Sequence, residues 1–209
     1  SLYTNVLTTS QYGTVDLITT ISTVAGPMLT LNIAESVMRF GLDKDADKEK
    51  NTQCGSIVLL IAMIIGLVLI PICRCITEVS DYAMYVYFYV ISLSASQLFL
   101  CDLRGKELLL KYSLGNILQT LMIAILNITF LLVFKMETGG YLLAYIIANF
   151  IVAIYAIIAG KGYKAFSFHN IDRCKLKEMI RYSVVLIPNT FMWWIMNSSD
   201  RVMVTYMIG

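Results

Sequence analysis

In this chain of 209 residues 58% are hydrophobic, 14% are charged and mean hydropathy is +0.72, whereas water-soluble domains carry about 25% charged residues. That excludes an ordinary soluble fold. The net charge of +2 decides nothing by itself, and no basic stripe interleaved with aromatics points to nucleic acid.

Crossing a hydrocarbon core of about 30 Å takes roughly 20 apolar residues in a helix. Stretches 57–73, 112–134 and 141–160 contain no charged residue at all, too long a run for core strands. Six spans are predicted, at 17–40, 54–76, 82–101, 112–134, 141–160 and from 182 to near the C-terminus. The fold class is therefore all-α, a polytopic membrane helical bundle. Pro27 and Pro188 fall inside spans, where neighbouring helices can satisfy the freed carbonyl. Residues 43–50 alternate acids and bases and are predicted to extend a helix into solvent. The run of Tyr82, Tyr85, Tyr87, Phe88 and Tyr89 resembles an interfacial aromatic belt at the start of the third span. Gly139 and Gly140 are predicted to mark a short turn, and 166–180 reads either as a helix on the inner leaflet or as a connecting helix.

Lys and Arg set orientation because they are retained on the cytoplasmic side. The connections after the first, third and fifth spans carry 13 of them, against only Arg74 and Lys135 on the other side. These odd connections are assigned to the cytoplasm. Residues 1–15 then lie outside, which is most simply reconciled by one further span upstream of Ser1. The chain is expected to be a fragment, cut at both ends.

No Gly-rich phosphate loop, HExxH or paired-aspartate array is present. The single histidine, His169, has no paired nucleophile and reads as solvated. The five cysteines, Cys54, Cys73, Cys75, Cys101 and Cys174, are odd in number and lie mainly in or beside apolar runs, so neither a metal site, a cofactor nor a disulfide framework is expected. The functional candidates are polar groups inside spans, where an ionisable side chain costs roughly 2.5–3.5 kcal/mol on insertion scales. Glu35 and Arg39 share a helix face near the inner end of the first span, as a gate or as an interfacial ion pair. Asp200 and Arg201 fall about 29 Å of helix beyond Arg181, near the outer interface, as an ion pair or a substrate contact. Asn32, Asn116, Gln119, Asn127, Asn149, Asn189 and Asn197 either bridge helices or line a polar cavity, with Trp193 or Trp194 able to stack on a sugar ring.

Three stretches go beyond composition: 2–16 (LYTNVLTTSQYGTVD), 98–105 (LFLCDLRG) and 181–209 (RYSVVLIPNTFMWWIMNSSDRVMVTYMIG). They resemble, in turn, the loop after the first span, a feature before the fifth span and the seventh span of the polysaccharide biosynthesis branch of the multidrug/oligosaccharidyl-lipid/polysaccharide exporter superfamily. The resemblance implies a two-lobed transporter. Residues 1–165 would be its first-lobe bundle, lacking the first span, and 166–209 the interlobe connection and opening helix of the second lobe. It implies a flippase for an undecaprenyl-diphosphate-linked glycan (an O-antigen, capsule or exopolysaccharide repeat unit), in the bacterial inner membrane and with a possible coupling cation. In that setting Glu35, Arg39, Asn116, Gln119, Asn189, Trp194, Asp200 and Arg201 are the cavity candidates. Asn5 departs from the family loop, which commonly has Arg there, and leaves the outer mouth less basic. The alternatives are a cation-coupled multidrug exporter of the same superfamily, an integral-membrane glycan polymerase, which would be expected to carry a large Arg-rich external loop, and a purely structural membrane subunit.

Overall fold

The computed structural model describes residues 9–73, 82–134, 136–166 and 172–208, with the side chains of 9, 10, 12, 72, 73, 132, 137, 164, 166 and 197–208 outside the described set. These residues form seven α-helices: α1 (Thr9–Leu29), α2 (Ile33–Gly41), α3 (Lys48–Cys73), α4 (Ala83–Gly105), α5 (Leu109–Ile128), α6 (Glu137–Ala159) and α7 (Arg173–Ile208). A π-helical turn, Thr129–Val133, extends α5, and a 3₁₀ turn, Gly162–Phe166, follows α6. No strand occurs among the described residues.

Four segments are long and apolar enough to cross a membrane: Lys48–Pro71, Ala83–Gly105, Leu109–Leu131 and Thr138–Ala159. A fifth is added if α1 and α2 count as one bent span. The described residues thus give four to five spans where hydropathy suggested six. At 36 residues α7 has ample length, but Asn189, Asn197, Asp200 and Arg201 interrupt its apolar run and it is not in that set.

The segment 17–40 is not the continuous helix its hydropathy suggests. It breaks at Thr30–Asn32, and the two halves meet at a bend of 57°. The Asn32 N–H donates to the Pro27 carbonyl at 2.7 Å and the Leu31 N–H to the Met28 carbonyl at 3.3 Å. This is the double closure that ends a helix with a left-handed residue, usually glycine. Here Leu31 takes that place with φ 50°, followed by Asn32 at φ 54°. Asn tolerates this region; Leu is held there at a cost of order 1 kcal/mol or more. A leucine carries no sequence signal for such a turn, so the break is invisible to hydropathy.

Three further boundaries differ from the sequence expectation. Residues 42–47 form a turn rather than a helical extension, because the Asp47 carboxylate accepts the Lys50 N–H at 3.2 Å and starts α3 at Lys48. Gly139 and Gly140 lie in the first turn of α6, where a Cβ on Gly140 would sit 2.8 Å from that of Met136 and 3.2 Å from that of Phe130. Gly140 permits a close approach there, and neither glycine forms a loop. In the 166–180 region, residues 167–171 lie outside the described set, and Asp172 accepts the N–H groups of Cys174 and Lys175 and begins α7, which runs on as one long helix.

The connections rich in Lys and Arg converge on one end of the bundle. Lys106 Nζ donates to the Gly160 carbonyl at 3.0 Å, Lys111 Nζ to the Ala159 carbonyl at 2.8 Å, and the Lys175 ammonium lies 4.2 Å from the centre of the Phe40 ring. At this end α2 and α4 touch through backbone: a Cβ on Gly41 would lie 2.9 Å from Gly105 Cα. Close backbone approach through small residues is how helices associate in lipid, where burial of hydrocarbon against hydrocarbon gives little drive. Ile33, Val37, Cys54, Leu98, Leu103 and Met179 form the core above this contact. A second cluster, Ile18, Val86, Val90 and Leu142, joins α1 to α4 and α6.

Candidate functional site

The break in the first span is tied to α7. With its backbone left-handed, Asn32 does not cap α2; its side-chain amide donates instead to the Thr190 hydroxyl at 3.2 Å. Thr190 Oγ1 in turn donates to the Leu186 carbonyl of its own helix at 3.3 Å. Beside this contact lies a small open cleft, with about 20 Å³ of room for water-sized groups, walled by Thr23, Pro27 and Met28 from α1 and Ile187, Phe191 and Trp194 from α7. Pro27 and Pro188 each remove an N–H from their helix near the crossing, which weakens both helices at the level of the cleft.

The chemistry of the cleft is mainly aromatic and aliphatic. The Phe191 and Trp194 rings stack with centroids 5.8 Å apart and planes at 24°, so one Trp194 face is already covered. The buried Trp194 Nε1–H meets no acceptor among the described residues. The lining is therefore apolar and aromatic apart from its threonine hydroxyls, and the described lining supplies no charge for a phosphate.

The other candidates are distributed as follows. Glu35 sits in the first turn of α2, half-buried, and no hydrogen bond or ion pair to its carboxylate forms among the described residues. Arg39 pairs with Asp43 at 2.6 Å rather than with Glu35, and both partners are about half exposed. Asn116 donates to the Tyr112 carbonyl of its own helix at 2.9 Å. Gln119 donates to Asn149 Oδ1 at 2.7 Å, bridging α5 to α6. Asn189 is exposed on α7, one residue before Thr190. The backbones of Asp200 and Arg201 continue α7, but their side chains lie outside the described residues, as do Asn5, Arg74 and His169 entirely. Among the described residues no group of His, Cys, Asp or Glu could hold a metal ion.

One charged site was missed by sequence reasoning. Asp102, 3% exposed, accepts from the Thr52 hydroxyl of α3 and from Lys106 Nζ at 2.7 Å, while Lys106 also reaches the end of α6 at Gly160. Both carboxylate oxygens are engaged, as a buried charge requires. The cluster ties α3, α4 and α6 together at the cationic end. Its only sequence signal is an acid and a base four apart in the stretch 98–106, which elsewhere reads as a solvated pair.

Comparison with known families is decisive at this point: the family described as polysaccharide biosynthesis protein matches residues 1–209. The chain belongs to that family. Neither a curated protein nor a solved structure matches it. The chain is thus a multi-pass membrane member of a polysaccharide biosynthesis family.

Proposed function

We propose that this chain forms part of a flippase, not an enzyme, moving a lipid-linked oligosaccharide across the bacterial inner membrane. The cargo is an O-antigen, capsule or exopolysaccharide repeat unit on undecaprenyl diphosphate. Family membership supports the polysaccharide context. The observation that carries transport is the discontinuous first span, tied by Asn32 to Thr190 and flanked by the α1–α7 cleft. Transporters place substrate and ion sites at broken helices between rocking units, because unwound backbone is tolerated at membrane depth only where it is buried in protein or lines a cavity.

In this reading residues 1–165 belong to the first lobe, and α7 opens the second. The cationic end faces the cytoplasm, by the retention of Lys and Arg on that side. The glycan and diphosphate travel between the lobes, with the lipid chain left in the bilayer. A cation gradient is the proposed energy source, one charge crossing 100 mV being worth about 2.3 kcal/mol.

The test is complementation: the full-length protein is expressed in a strain lacking its own oligosaccharide flippase but supplied with the matching glycan assembly enzymes. Restored surface glycan is expected. Normal insertion and abundance without any surface glycan would remove the transport reading.

A further inference from the structure

The two halves of the first span are held very differently. The shorter half, α2, is fixed on several sides: Gly41 rests against the backbone of Gly105, Val37 fills the space beside Gly55, the Ser36 hydroxyl donates to the Met179 carbonyl at 2.7 Å, and the Phe40 ring meets Tyr182 edge-on at 5.7 Å. These partners belong to the same end of the bundle that the Asp102, Thr52 and Lys106 cluster secures. The longer half, α1, packs on α4 and α6 through Ile18, Val86, Val90 and Leu142, but toward α7 it faces the open cleft. On that side a hydrogen bond holds the elbow itself, from Asn32 to Thr190.

Between the fixed half and the freer half lie Leu31 and Asn32, consecutive residues at positive φ. A leucine in that region is strained, and strain persists only while the surroundings enforce it. We infer that the Leu31–Asn32 elbow is a hinge, about which α1 swings against an anchored α2, and that the Asn32–Thr190 hydrogen bond is the catch that holds it bent. When α7 withdraws, the catch opens and Leu31 can return to a right-handed conformation, straightening the span and reshaping the cleft between α1 and α7. Pro27 adds compliance close to the elbow, since it contributes no N–H to the α1 ladder. The hinge goes beyond the transport reading; it depends only on the packing of α1, α2 and α7, so its test reads helix geometry and not cargo movement.

The experiment measures spin-label distances in the full-length protein in lipid nanodiscs, with native cysteines replaced by alanine. One pair, Ile21→Cys with Leu114→Cys, reports α1 against α5; a control pair, Leu60→Cys with Leu114→Cys, reports α3 against α5, and all three positions are exposed. Thr190→Val, which removes the catch while keeping side-chain shape, is expected to raise the population of the displaced α1 distance about threefold, the shift expected for one interhelical hydrogen bond in a membrane. Asn32→Gly, which keeps positive φ accessible and deletes the same bond, gives the same result from the other side. Leu31→Gly, which relieves the strain of the bend, is expected to lower that population. The control pair stays unchanged throughout. Unaltered α1 distances in both catch variants, or a control pair that shifts along with α1, would overturn the hinge.

Discussion

Lys106 Nζ lies 2.7 Å from Asp102 Oδ2, and the two side chains are 12% and 4% exposed. An ion pair this enclosed behaves asymmetrically. Removing one partner leaves an uncompensated charge, whereas removing both leaves only a packing problem. Asp102→Ala is expected to destabilise the protein by roughly 3–5 kcal/mol. The double change Asp102→Leu with Lys106→Met is expected to recover a large part of that loss. Thermal unfolding in detergent checks both, and a double variant no better than the single would show that the pair is not the source of the effect.

The contact of Gly41 with Gly105 leaves no room for a methyl group, since a Cβ there would sit 2.9 Å from backbone, whereas Gly13 has nothing within 4 Å. Gly41→Ala is expected to cost about 1–3 kcal/mol by forcing α2 from α4. Gly13→Ala, in an open helical position, should be neutral or stabilising by up to about 1 kcal/mol. Comparing the two melting curves separates steric contact from the general preference of helices for alanine.

Gln119 and Trp194 are both cavity candidates from sequence, yet they sit in different surroundings. Gln119 is spent on Asn149 across α5 and α6, and Trp194 opens onto the α1–α7 cleft. Gln119→Leu is expected to lower stability by about 0.6–2 kcal/mol and leave transport per folded molecule unchanged. Trp194→Ala is expected to lower transport per folded molecule with a smaller change in stability. Export assays normalised to folded protein would read the opposite pattern if the amide, and not the indole, met the cargo.

Glu35 carries a carboxylate in the first turn after the elbow and has no ion-pair partner among the described residues. Glu35→Gln is expected to reduce surface glycan, through the loss of a half-buried charge in a span. Arg74→Gln should have a smaller effect. Equal effects from the two changes would make Glu35 part of the scaffold.

The start of α3 is expected to depend on pH. The Lys50 backbone N–H, donating to Asp47, holds that carboxyl below the usual carboxylate range. A group whose folded pKa is depressed stabilises at pH values above its unfolded pKa, about 3.9, and loses that contribution as pH falls through the lower folded value. Amide exchange in the first turn of α3 should be faster in Asp47→Ala than in the unchanged protein at neutral pH. The difference should vanish in strong acid, and its persistence there would mean the carboxylate is not the cap.

Much of the architecture was legible in the sequence because dry hydrocarbon imposes length and charge rules. Runs 57–73, 112–134 and 141–160 each overlap a span-forming helix, and the connections bearing Lys and Arg do meet at one end. What escaped depends on long-range partners. The left-handed Leu31 is set by the packing of α2 and α7, not by its own preference. Asp102 escaped notice because its Thr52 partner is 50 residues away. Gln119 could equally have faced a cavity until Asn149 of the neighbouring helix was seen to occupy it. Helix starts shifted wherever an aspartate, at 47 or 172, captured backbone N–H groups ahead of the apolar run.

The most direct measurement is translocation by the purified full-length protein in sealed vesicles. A fluorescent undecaprenyl-diphosphate oligosaccharide is placed in one leaflet, and its arrival in the other is followed with a membrane-impermeant quencher. Flipping well above that of protein-free vesicles, and reduced by Trp194→Ala, is the result expected for a flippase. Correctly folded, inserted protein that leaves the labelled lipid at the protein-free rate would contradict it.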